Sequence, residues 1–111
     1  MASEFGYFLT RRAEGDLDEI LSYLPVQLSA PKAAADFLEK LQGAIREACA
    51  FPESGAPVDN AFLPNRTVRK KLVGSDMLYY FSDREDERIY ILRVLYGRRN
   101  LDELLREMDL N

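Results

Sequence analysis

Apolar residues along the first quarter of the chain keep a helical beat. Leu17, Ile20, Leu21 and Leu24 fall at i, i+3, i+4 and i+7, which is one stripe of an amphipathic helix. Thr10 stands just ahead as an N-cap. Glu14, Asp16, Asp18 and Glu19 crowd the early turns, where negative charge suits the helix dipole and the group reads as a solvated face. Pro25 is expected to stop this helix. Before it, Phe5 to Leu9 is short and aromatic-rich, the pattern of a first strand. A second helix is expected to open at Ser29-Ala30-Pro31, with proline where its missing N–H costs little. Phe37, Leu41, Ile45 and Ala48 carry its stripe, widened by Ala34 and Leu38. About twenty residues to Phe51 make a rod roughly 30 Å long. The short link between the two predicts an antiparallel hairpin.

Residues 52–65 hold three of the five prolines and read as a loop. Three strand-like runs follow, Thr67–Val73, Met77–Ser82 and Arg88–Tyr96. Gly74-Ser75-Asp76 turns the first into the second, and Asp83–Glu87 links the second to the third. The third run is apolar on both faces, as in a central strand covered on two sides. Leu101, Leu104, Leu105 and Met108 form a last helical stripe, with Asn100 as a cap. The pattern therefore predicts an α+β fold: an N-terminal strand, an antiparallel helical hairpin, a three-stranded antiparallel meander and a short C-terminal helix. No change of composition divides residues 1–111, so a single domain is expected.

Composition narrows the chemistry. The chain has no histidine and one cysteine, which removes imidazole-dependent hydrolysis, His-ligated metals, an internal disulfide and a Cys-rich zinc site. No metal and no cofactor are expected. Cys49 lies among Ala48, Ala50 and Phe51 on an apolar stripe and reads as core. No run approaches the ~18 apolar residues of a membrane span. Met1–Phe5 has neither a basic n-region nor an apolar h-region, so a cytoplasmic location is expected.

Net charge is −4, which argues against general affinity for nucleic acid. The charge is divided unevenly. Residues 1–60 carry five basic and ten acidic groups, whereas residues 61–111 carry ten basic and nine acidic. Arg66, Arg69, Lys70 and Lys71 surround one strand, and Arg93, Arg98 and Arg99 lie on or just after the last. Should these strands be neighbours, their cations line one groove that grips an anionic target, with Tyr79, Tyr80, Tyr90 and Tyr96 as stacking surfaces. The competing reading has the cations blunting a strand edge and the tyrosines packing half-buried. Arg93, alone inside Ile-Leu-Arg-Val-Leu, either pairs with a buried carboxylate or points into a functional groove.

Several segments carry a resemblance. Leu9–Ile20 (LTRRAEGDLDEI), Ala34–Leu41 (AADFLEKL) and Phe51–Gly55 (FPESG) resemble, in order, the RelE/ParE superfamily of toxins from type II toxin–antitoxin modules. Ile91–Leu101 (ILRVLYGRRNL) is similar to the strand-to-tail signature of the ParE branch. The resemblance implies a small toxin neutralised by a cognate antitoxin, in a hetero-oligomer. RelE-like members cut messenger RNA on the ribosome with lysines, arginines and a C-terminal tyrosine, and ParE-like members inhibit DNA gyrase. On the RelE alternative, Arg99, Lys70 and Lys71 are the candidate catalytic cations. The arginine expected at the start of the next strand is Met77 here, and the tyrosine position is Leu105. Those departures favour ParE-like gyrase inhibition, with a non-toxic antitoxin-binding remnant as a third possibility. The antitoxin, as an amphipathic helix or an added strand, is expected near Leu17, Leu21, Leu24, Phe37 and Leu41.

Overall fold

The computed structural model describes residues 4–27, 32–58, 65–74 and 76–95, the side chains of 23–27 excepted. The elements run β1 (Gly6–Leu9), α1 (Arg11–Gln27), α2 (Ala33–Ala50), β2 (Ala56–Val58), β3 (Val68–Val73), β4 (Asp76–Asp83) and β5 (Arg88–Leu95). The expected C-terminal helix, with Arg98 and Arg99 before it, lies outside the described residues. The five strands form one sheet in the order β1-β5-β4-β3-β2. The predicted meander is β3-β4-β5, paired antiparallel throughout. β1 joins it parallel to β5, from Gly6 opposite Arg88 to Leu9 opposite Ile91.

Two expectations need correction. The 52–65 stretch is not all loop: Ala56–Val58 pairs antiparallel with β3 as the sheet's far edge. Pro57 is tolerated there because an edge strand has one side that needs no donor. Pro25 does not end α1, which continues to Gln27. Proline removes one backbone donor, and two further residues complete the last turn around it.

Both helices pack on one face of the sheet. Ala13 and Ile20 of α1 meet Phe37, Leu41, Ala44, Ile45, Ala48 and Cys49 of α2 above Val73, Leu78, Tyr80, Ile89, Ile91 and Val94. On the opposite face Val68, Tyr79, Leu92 and Leu95 make a second, smaller cluster. β5 thus feeds both, as its doubly apolar pattern predicts.

The split depends on an irregularity in β5. Tyr79 faces Arg93 while Tyr80 faces Ile91, so Leu92 is an extra residue in the ladder. Strict alternation from Ile89 and Ile91 would send Arg93 into the core beneath the helices. The bulge shifts the phase by one and places Val94 there instead.

Thr10 couples this strand to α1. Its backbone N–H donates to the Ile91 carbonyl at 3.1 Å, and its hydroxyl reaches the Ile91 and Leu92 carbonyls at 3.0 and 3.2 Å. The same oxygen accepts from the Ala13 N–H at 3.2 Å, completing the predicted N-cap. One and a half turns on, Asp16 closes what β1 leaves open. β1 stops opposite Ile91, and beyond it Asp16 Oδ2 accepts the Val94 N–H at 3.0 Å. The carboxylate also accepts Arg93 Nε at 2.7 Å and Nη2 at 2.9 Å. Both side chains are nearly buried, at 10% and 12% exposure. Removing one member of such a pair strands the other charge and a backbone donor. Asp16→Ala is therefore expected to lower unfolding free energy by about 3 kcal/mol, with Asp16→Asn losing less because its amide oxygen still accepts. Urea denaturation of the three proteins checks the ranking, and equal midpoints would contradict it.

Candidate functional site

Of the two readings of the basic residues, a shared groove or a blunted strand edge, the groove loses ground, because alternation distributes those of β3 over both sides of the sheet. On β3, Arg69, Lys71 and Val73 face the helices, whereas Val68, Lys70 and Leu72 face away. Lys71 is buried. Its ammonium donates to Ser54 Oγ at 2.8 Å and pairs with Glu47 of α2. Arg69 Nη1 donates to the carbonyl of Gly55 at 2.9 Å and more weakly to that of Glu53 at 3.4 Å. Lys70 and Lys71 therefore cannot converge on one phosphate. Arg93 takes the first of its two alternatives, pairing with Asp16, and is committed inside the fold. Asp16 was missed because an acid in the early turns of a helix reads as a dipole partner facing solvent.

The antitoxin candidates divide as well. Phe37 and Leu41 are 5% and 2% exposed and belong to the core, a correction that follows from the sheet using up the α2 stripe. Leu17 and Leu21 are partly buried against that core and stay at its margin. The side chain of Leu24 lies outside the described residues. Tyr79 and Tyr80, at 2% and 0% exposure, offer no stacking face, and Tyr96 lies outside the described residues. Tyr90 is partly exposed, but its ring stacks on Phe81 at 5.0 Å and meets Phe8 at 5.9 Å. Its hydroxyl donates to Asp86 Oδ2 at 2.6 Å, a hydrogen bond that raises its phenol above the ordinary range.

The FPESG segment has a physical explanation. The buried Tyr80 hydroxyl donates to the Pro52 carbonyl at 2.8 Å and accepts the Gly55 N–H at 2.9 Å. A Cβ on Gly55 would stand 2.8 Å from that hydroxyl and 2.9 Å from the Lys70 carbonyl, so only glycine fits. Ser54 receives Lys71 in the same turn.

Beside this latch, sharing Glu53 of the same segment, lies an open cleft of about 420 Å³. Glu53, Asn65, Arg66, Thr67, Arg69, Ser82, Asp83, Arg84 and Glu85 line it. Arg66 pairs with Asp83 at 3.3 Å and lies 5.1 Å over the Phe81 ring. Arg84 pairs with Glu53 at 2.9 Å. Asp83 accepts the backbone N–H groups of Glu85 and Asp86. The Asp86 N–H, with the Glu85 N–H and Arg66 adding to it, holds the Asp83 carboxyl below the usual range. That contribution to the turn is present at neutral pH and is lost as pH falls through the depressed value. Among the described residues no cluster suits a metal ion, and no helix is long and apolar enough to cross a membrane.

Two measurements test these assignments. Tyr80→Phe leaves a buried N–H and a carbonyl unpaired and is expected to cost about 1–3 kcal/mol in urea denaturation; an unchanged midpoint would show that the latch contributes nothing. Burial, and secondarily the charge of Glu4, raise the Cys49 thiol. Iodoacetamide should therefore modify it only after unfolding, and rapid alkylation of the native protein would contradict its place in the core.

Comparison with known proteins places this arrangement. The model of the ParE toxin of type II toxin–antitoxin systems, parDE, matches residues 7–101. The chain is 34% identical over 94 residues to Toxin ParE1 of Caulobacter vibrioides, covering 85% of this chain and 91% of that one. Its fold resembles a chain of the chromosomal ParDE system from P. aeruginosa, with TM-score 0.64, 21% identity and coverage of 86% and 98%. It also resembles a chain of the RelBE2 toxin–antitoxin complex from Mycobacterium tuberculosis, with TM-score 0.55, 22% identity and coverage of 85% and 99%. The protein belongs to the ParE family of toxins of type II toxin–antitoxin systems.

Proposed function

We propose that this toxin acts by binding and inhibiting DNA gyrase, without cutting RNA, and that a cognate antitoxin neutralises it in a hetero-oligomer in the cytoplasm. The observation that carries the gyrase reading is the divergence of Lys70 and Lys71. A metal-free and histidine-free nuclease needs convergent cations around the scissile phosphate to stabilise charge and move protons. Here Lys71 is turned inward onto Glu47 and Ser54, and Arg93 onto Asp16. The cation left on the outward face of β3, Lys70, has Val68 and Leu72 for neighbours. Arg99, the other candidate of the nuclease reading, lies outside the described residues.

The antitoxin reading draws on the family and on the names of the structural relatives, a ParDE system and a RelBE2 toxin–antitoxin complex. With Phe37 and Leu41 inside, Leu17 and Leu21 at the hairpin margin are what remains of the expected apolar contact among the described residues.

Purified toxin in excess should abolish supercoiling by gyrase and leave translated messages uncut in primer extension. Undisturbed supercoiling would overturn the gyrase reading, and codon-positioned cleavage lost on Arg99→Ala would replace it with the nuclease. Unimpaired growth on expression without antitoxin would leave only the non-toxic remnant.

A further inference from the structure

The cleft beside the Tyr80 latch holds a cation that no carboxylate among the described residues neutralises. Three arginines line it, and two are matched, Arg66 by Asp83 and Arg84 by Glu53. Arg69 is different. Its Nη1 touches only the neutral carbonyls of Gly55 and Glu53, and among the described residues no carboxylate pairs with it. Those two bonds fix the guanidinium against a loop that Tyr80 itself immobilises, so the side chain is held in place before any ligand arrives. A planar fork held this way suits a carboxylate, which accepts two parallel N–H groups. Thr67, Ser82 and Asn65 bring further polar groups to the same walls.

The rest of the lining selects the kind of ligand. Glu53, Asp83 and Glu85 balance the three arginines in charge. A polynucleotide, with a phosphate at every residue, would set several negative charges against those acids, on a chain that already carries −4. A peptide offers one carboxylate at a time. Glu85 is exposed and makes no ion pair among the described residues, so it is placed to receive a basic side chain next to the acidic one.

We propose that this cleft is a docking site for a protein segment carrying an acidic residue beside a basic one, the carboxylate seated on Arg69 and the cation on Glu85. The site rests on the reading of the toxin as a protein-directed inhibitor and names the contact it would use.

The test is a nuclear magnetic resonance titration of the whole chain with the blocked peptide acetyl-Gly-Glu-Gly-Lys-Gly-amide. The Arg69 Nε–H and the amides of Thr67 and Ser82 should shift saturably, and replacing the peptide's Glu by Gln should weaken binding about tenfold. Ser82→Glu puts a competing carboxylate in the cleft without touching the Arg69 tether, and should abolish the shifts. Arg69→Gln should abolish them too, provided its spectrum elsewhere is unchanged. No shift at these positions, equal binding of the Gln peptide, or a stronger response to a ten-residue oligothymidylate would each overturn the proposal. Saturable peptide binding by a toxin that leaves gyrase untouched would keep the cleft and remove the gyrase reading.

Discussion

One carboxylate holds the two halves of this protein in register. Asp16 accepts both nitrogens of an arginine fork and the backbone N–H of Val94. Each bond answers a need created elsewhere. The bulge at Leu92 turns Arg93 away from the core and sends Val94 into it. The end of β1 at Leu9 leaves the rest of β5 without a strand partner on that side among the described residues. A charge on α1, one and a half turns past the Thr10 cap, meets both requirements. Two sequence signatures separated by 77 positions, the acidic opening of α1 and the ILRVL strand, are therefore two sides of one contact.

Much of the architecture was legible from periodicity alone. The stripes of α1 and α2, the turn at Gly74 and the doubly apolar β5 each follow from local physics that the tertiary structure does not override. Gly74 has φ +65°, the left-handed conformation that a tight turn demands. What escaped was non-local. β2 is three residues with a proline at its centre, and only its pairing with β3 makes it a strand. Asp16 looks like every other acid in its helix until β5 is folded beside it. The same blindness merged Arg69, Lys70 and Lys71 into one patch, although a period of two separates neighbours onto opposite faces.

The charge pattern reads differently once the fold is known. The basic excess of the second half is not a uniform surface. Lys71 and Arg93 neutralise acids contributed by the helices, and Arg66 and Arg84 neutralise acids around the cleft. The acidic first half and the locally basic second half are thus partly each other's counterions. The cleft is polar and of balanced charge, with one arginine, Arg69, that no carboxylate pairs among the described residues.

The central claim is that Asp16 closes the edge of β5 where β1 ends, and hydrogen exchange of the Val94 amide reads it most directly. In the wild-type chain this amide should exchange through the same large-scale opening as Ile91 and Leu78, its neighbours in the sheet. In Asp16→Ala it should lose protection by about a hundredfold or more relative to Leu78, as expected for a donor released to water with its cap removed. A Val94 amide that exchanges in step with Leu78 in both proteins would mean that something other than Asp16 protects this edge.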